Sequence, residues 1–209
     1  MTNYTKYQVP NSNYLVLSKG LILAYTQKAG STSIIKATRR KTIKTFISQD
    51  EVLERKQRDD AQVVMFIREP MARFESVYRF LTDPECPLYR SAPPMQGMSL
   101  DNFINAILRQ ENQHWNPQLA SHKYYYLGAV GFTEQLLDYV YPFERIDELW
   151  EEVTGLSGPF PHERKAPKPY QAMGQYSLSY SQQSLLMEKY REDIELHHKA
   201  VKYGKARAF

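Results

Sequence analysis

Cysteine is almost absent from this 209-residue chain: Cys86 is the single one, so no disulfide can close within it, and a reducing compartment is the expected setting. Long hydrophobic runs are missing as well. No stretch approaches the roughly 18 to 20 apolar residues that a membrane-spanning helix needs. The opening "MTNYTKYQVPNSNY" has neither the basic flank nor the apolar centre of a secretory signal. A cytoplasmic protein with no membrane span is therefore expected. Charge of one sign is scarce too: 27 lysines and arginines against 23 acids leave a formal net charge of +4. Acids and bases are interspersed, as in "SQDEVLERKQRDD" (48–60), and the densest basic run is "KATRRKTIK". That balance favours an anionic partner but argues against a nucleic-acid-binding surface. His197-His198 has no companion ligands at zinc spacing and reads as a helix surface. With no internal repeat and no shift in composition, one domain spanning residues 1–209 is the simplest organisation.

What is present alternates between strand-like and helix-like patterns. "YLVLS" (14–18) and "LILAYT" (21–26) are short β-type runs joined by Lys19-Gly20, which predicts a hairpin. Apolar residues from Ser31 to about Phe46 fall at helical spacing, and Ser48 with Glu51 forms a capping-box pattern for a second, charged helix. "QVVMFI" (62–67) is continuously apolar, as in a strand covered on both faces. Pro70 then suits a first helical turn, and Phe74, Val77, Tyr78 and Leu81 continue a helix to about Thr82. The proline-rich stretch 83–98 reads as a surface loop, a candidate lid, and Ser99 as the cap of a further helix. "LLDYVYPFERIDELWEEV" (136–153) predicts a strand leading through Glu144 into a helix, and a last helix is expected from Ser181 toward Gly204. Alternation of this kind predicts an α/β fold with a mainly parallel central sheet flanked by helices.

Two strand-to-helix junctions carry the chemistry. After Thr26 stand Lys28, Ala29, Gly30, Ser31, Thr32 and Ser33: a mobile cation followed by small residues that let an anion approach the amides of a helix N-terminus. After Ile67 stands Arg68, with Ser76 two turns into the following helix. An arginine fork can hold a phosphate through two charge-assisted hydrogen bonds. In open α/β sheets ligands sit beyond the carboxyl ends of strands, so both junctions are expected to face one crevice. A triphosphate-binding P-loop is excluded by order, because Lys28 precedes Gly30 instead of following the second glycine of that motif.

Together the junctions resemble those of the sulfotransferase family. "QKAGSTS" (27–33) looks like the loop that binds the 5′-phosphosulfate of the donor, and "REPMARFESVYRF" (68–80) is similar to the segment that binds its 3′-phosphate. "HWNPQ" (114–118), "YPFERIDEL" (141–149) and "PFPHERKAP" (159–167) resemble later blocks of the carbohydrate sulfotransferase branch. The resemblance implies a P-loop-NTPase-like three-layer sandwich. It also implies transfer of a sulfuryl group from 3′-phosphoadenosine 5′-phosphosulfate to a hydroxyl or amine, a carbohydrate by preference, leaving adenosine 3′,5′-bisphosphate and needing no metal. By the same carry-over Lys28 and the amides and hydroxyls of Ala29 to Ser33 hold the 5′-phosphate, with Lys28 neutralising charge on the departing oxygen. Arg68 and Ser76 hold the 3′-phosphate, and Arg164 and Lys165 lie in a segment that closes over the nucleotide.

The proton acceptor is left open by the sequence. Relatives place a histidine or glutamate between the two phosphate motifs, and no histidine lies between Lys28 and Arg68. Glu51 and Glu54 fall in that interval, in a charged neighbourhood that equally suits a solvated helix face, and His114 beside Trp115 is the third candidate. Arg73 is expected either to support the 3′-phosphate site or to pair on the helix surface with an acid such as Glu69. Two other functions fit the same features less closely: a nucleotide-dependent, kinase-like phosphotransferase and a non-catalytic anion-binding module.

Overall fold

The computed structural model describes residues 14–26, 28–39, 44–45, 49–82, 97–109, 136–162 and 178–208. In chain order these form β1 (Tyr14–Ser18), β2 (Leu21–Ala24), α1 (Ser31–Thr38), β3 (Lys44–Thr45), α2 (Gln49–Asp59), β4 (Gln62–Ile67), α3 (Pro70–Thr82) and α4 (Leu100–Arg109). After them come β5 (Tyr139–Pro142), a 3₁₀ turn (Phe143–Arg145), α5 (Ile146–Thr154), α6 (Tyr180–Lys189), α7 (Arg191–Tyr203) and β6 (Ala206–Arg207).

The strands form one open sheet in the order β3-β1-β2-β4-β5-β6. Its centre is parallel: Leu23 pairs with Val64 and Met65 with Val140. The outer pairs are antiparallel, β1 with β2 and β3, and β5 with β6. The sheet is thus mixed, whereas the sequence pattern predicts a mainly parallel one. The hairpin forces the first reversal, because a two-residue connection from Ser18 to Leu21 can join antiparallel strands only.

Side chains alternate between the faces as a pleated strand requires. Val16, Ile22, Ala24, Val63, Met65 and Val140 form one core with Val52 of α2 and Leu196 and Ala200 of α7. Leu15, Leu23, Tyr25, Val64 and Phe66 form the other with Ile34 of α1 and Leu149 and Trp150 of α5. Helices therefore cover both faces, which is why β4 is apolar from Val63 to Ile67. A third cluster joins α3, α4 and the α6–α7 corner: Phe74 stacks on Phe103 at 5.8 Å and on Tyr190 at 6.4 Å between centroids. Burying one such ring stabilises the fold by about 1.5 to 3 kcal/mol.

At the amino ends of β4 and β5 a charged clamp sets their spacing. Lys56 Nζ lies 2.8 Å from both carboxylate oxygens of Asp138, and Asp138 accepts the amide of Val63 at 2.8 Å. Ser99 caps α4 as its position suggests, its Oγ accepting the amide of Asn102 at 3.3 Å. The single C-terminal helix expected from Ser181 is two helices, bent at Tyr190 (φ −103°, ψ 21°), whose buried ring belongs to the third cluster. Ser48 and most of the 83–98 loop lie outside the described residues.

Candidate functional site

β2 and β4 are neighbours and parallel, yet the chain leaves β2 toward β3 on one side and leaves β4 toward β5 on the other. Their carboxyl ends are thus a topological switch point, the place where the loops of an open α/β sheet part to leave a crevice. At the first junction the carbonyl of Thr26 accepts the amide of Ala29 at 3.4 Å, and the chain turns through left-handed conformations at Lys28 (φ 65°) and Gly30 (φ 71°). For a lysine this costs about 1 to 2 kcal/mol, which the surrounding fold must offset. Gly30 also lies against the third junction: a Cβ on it would stand 2.8 Å from Cζ of Phe143 and closer still to Cε2. α1 begins there with no acid in its first turn. Nothing negative in that turn competes with an incoming anion for its positive end.

The second junction is arranged differently. Glu69 folds over the start of α3, its two carboxylate oxygens taking the amides of Met71 and Ala72. That helix end is occupied by the protein's own acid, which leaves Arg68 as the cationic group of this junction. Arg68 Nη1 donates to the carbonyl of Lys28 at 3.2 Å, which ties the two junctions together. Burial pushes its guanidinium below arginine's usual range, against the opposing pull of Glu144, Glu69 and Glu75. Lys28 Nζ stands 4.3 Å from the centroid of Phe80 on α3. Ser76 lies one turn before Phe80 on the same helix face, so the ammonium is directed toward the face that carries the expected 3′-phosphate serine.

A third junction, after β5, completes the crevice. Glu144 Oε1 accepts the amide of Glu69 at 2.9 Å, and Glu144 Oε2 lies 3.0 Å from His197 Nε2 of α7. Burial raises the Glu144 carboxyl, but the bonds from His197 and Glu69 outweigh it and hold the group below the usual carboxylate range. A cavity of about 560 Å³ opens among Arg68, Glu69, Ala72, Phe143, Glu144, Ile146, Asp147 and His162. His162 Nε2 stands 2.8 and 3.0 Å from the two carboxylate oxygens of Asp147, and its ring packs edge-on against Phe160 at 5.6 Å.

The structure therefore brings together Lys28, the Gly30 turn and Arg68. Ala29 and Ser33 are buried, Ser31 and Ser76 partly so, and Thr32 is exposed. Glu51 and Glu54 are held in pairs along α2, with Arg55 at 3.2 Å and Arg58 at 2.8 Å, and Glu54 is on the exposed face. His114, Arg164 and Lys165 lie outside the described residues. Two expectations are corrected. Arg73 is not on the surface: it is 4% exposed, and its burial cost is opposed by Tyr190 and Asp193 at the α6–α7 corner. His197 is 6% exposed and belongs to the crevice wall through Glu144, its Nδ1 buried without a hydrogen-bond partner among the described residues. Burial of Arg73 removes the surface-pair alternative, and a pattern along one helix does not reveal which of its faces another helix covers. His162 and Asp147 stand in the quoted blocks "PFPHERKAP" and "YPFERIDEL", but nothing in either block alone tells that the two side chains meet.

Comparison with protein-family models, with curated proteins and with solved structures finds no match to this chain. Among the described residues no helix is long and apolar enough to cross a membrane, and no cluster of three or more metal-ligating side chains occurs.

Proposed function

We propose that this protein is a sulfotransferase that moves the sulfuryl group of 3′-phosphoadenosine 5′-phosphosulfate to a hydroxyl or amine of an acceptor, with a carbohydrate as the favoured class. The observation that carries the reading is the bond from Arg68 to the carbonyl of Lys28: two separated sequence motifs, each suited to a phosphate, meet at one switch point. In this reading Lys28 and the backbone of Ala29 to Ser33 receive the 5′-phosphosulfate at the acid-free start of α1. Arg68 and Ser76 receive the 3′-phosphate, the group that separates this donor from ATP, and Arg164 and Lys165 cover the nucleotide. A P-loop-NTPase-like three-layer arrangement belongs to the same reading, and the parallel centre with helices on both faces supports it.

The chemistry asks little covalent participation of the protein. An acceptor oxygen attacks sulfur as the bond from sulfur to the bridging phosphate oxygen breaks, and charge accumulates on that oxygen. A fixed cation at Lys28 stabilises it, an effect whose loss typically costs about 10²- to 10³-fold in rate. The crevice walls hold donor and acceptor in line.

Thermal unfolding in the presence of adenosine 3′,5′-bisphosphate, ATP with magnesium, and a single-stranded oligonucleotide tests the proposal. Selective stabilisation by the bisphosphate, about 2.7 kcal/mol at a hundredfold excess over its Kd, is expected. Preference for ATP with magnesium points to a kinase-like phosphotransferase, and a response to the oligonucleotide alone to a binding module; either overturns the sulfotransferase.

A further inference from the structure

The cavity beside Arg68 contains four carboxylates or imidazoles, and their bonding separates them. Glu69 has both oxygens on the amides of its own helix. Glu144 has one oxygen on the Glu69 amide and the other on His197. Both carboxylates are thus engaged in bonds that hold the junctions together. Asp147 faces His162 with both oxygens. His162 is left as the group with basic capacity to spare: with Nε2–H donating to Asp147, Nδ1 carries the lone pair, and among the described residues it has no hydrogen-bond partner.

We infer that His162 is the general base of the proposed transfer and that Asp147 is its positioning residue. This inference rests on the sulfotransferase reading. Asp147 on α5 fixes the tautomer and the plane of the imidazole, and Phe160 supports the ring from the side at 5.6 Å. Phe160 in turn meets Phe143 at 6.5 Å, and Phe143 underlies Gly30, so the imidazole stands on the same aromatic wall as the donor loop. The charged groups facing it across the cavity are Arg68 and Glu69 at the β4 junction and Glu144 on the 3₁₀ turn. An imidazole is the side chain whose lone pair is available near neutral pH.

The step balances without a further reagent. The acceptor O–H gives its proton to Nδ1 of His162 while its oxygen forms the new bond to sulfur. The old bond from sulfur to the bridging oxygen breaks, its electron pair going to the departing 5′-phosphate of adenosine 3′,5′-bisphosphate. The products are a sulfate ester and an imidazolium facing the Asp147 carboxylate, and the proton then leaves to water.

The test uses the whole chain as wild type, His162→Gln and Asp147→Asn. Calorimetric titration with adenosine 3′,5′-bisphosphate reads donor affinity. Release of the bisphosphate from 3′-phosphoadenosine 5′-phosphosulfate, with water and with a panel of hexose and hexosamine glycans as acceptors, reads turnover. His162→Gln is expected to bind the bisphosphate within about twofold of wild type and to turn over about 10²- to 10⁴-fold more slowly, with the acid limb of its pH–rate profile abolished. Asp147→Asn is expected to retain affinity, to slow turnover at least about tenfold, and to displace that limb. Unchanged turnover in His162→Gln overturns the inference and leaves the sulfotransferase standing. Loss of bisphosphate affinity in His162→Gln also overturns it, making the residue part of the donor site. Failure of the wild-type chain to bind the bisphosphate removes the reading on which the inference rests.

Discussion

Substitution of Gly30 by alanine isolates the contact between the first junction and the third. Two costs combine at this position. The left-handed backbone (φ 71°) is worth about 1 to 2 kcal/mol against any residue with a Cβ. The new methyl would overlap the Phe143 ring, and displacing a packed ring of this kind costs about 1 to 3 kcal/mol more. Gly30→Ala should therefore lose about 2 to 5 kcal/mol. Gly155 supplies the control, because it has a similar φ of 67° and nothing within 4 Å of its hypothetical Cβ. Gly155→Ala should show the backbone cost alone, about 1 to 2 kcal/mol. Urea unfolding followed by far-ultraviolet circular dichroism measures both, and with an m-value of about 2 kcal/mol/M the Gly30 midpoint should fall about 0.5 to 1.5 M beyond that of Gly155. Phe143→Leu shortens the obstructing side chain, so the double variant with Gly30→Ala should recover much of the steric part, a coupling that a double-mutant cycle reads directly. Equal losses at the two glycines, or no coupling to Phe143, would refute the packing of the first junction on the third.

Arg68→Ala should weaken adenosine 3′,5′-bisphosphate binding by about 10- to 150-fold by calorimetry, from the loss of charge-assisted bonds worth about 1.5 to 3 kcal/mol. Lys28→Ala should lower turnover about 10²- to 10³-fold, measured as bisphosphate release. The Glu144 carboxyl is held below its usual range in the folded protein, so its contribution is complete above the ordinary glutamate range and is lost as pH falls through the depressed folded value. Acid titration of stability should accordingly flatten in Glu144→Gln, and an unchanged acid slope would contradict the His197–Glu144–Glu69 connection. Arg73→Met removes the buried cation near Tyr190 and Asp193 at the α6–α7 corner and should cost about 3 to 5 kcal/mol in urea unfolding.

What was legible in the sequence is what repeats locally. The hairpin, the strand at 62–67 and the helix from Pro70 announce themselves through alternation, continuous apolarity and a first-turn proline, and each is present with nearly the expected bounds. β3 and β6 have two residues each, too few to show any period, and their pairing is decided by the strands beside them. The order of Lys28, Gly30 and Ser31 to Ser33 ahead of α1 was legible because one helix start holds its own residues in sequence. The remainder depends on encounters across long stretches of chain: Glu144 meets His197 across 53 residues and Glu69 across 75, and His162 reaches Asp147 around the end of α5. A pattern along one helix cannot report which of its faces another element will cover. For that reason Arg73 and His197 look like surface residues in the sequence and are buried in the fold.

The two-residue strands at either margin of the sheet have a consequence for life at high concentration. A growing aggregate extends by pairing backbone to backbone along an exposed border, and among the described residues the border strands present Lys44–Thr45 and Ala206–Arg207. Such a short ladder gives a second molecule little to hold, while β2 and β4 are paired on both sides within the sheet.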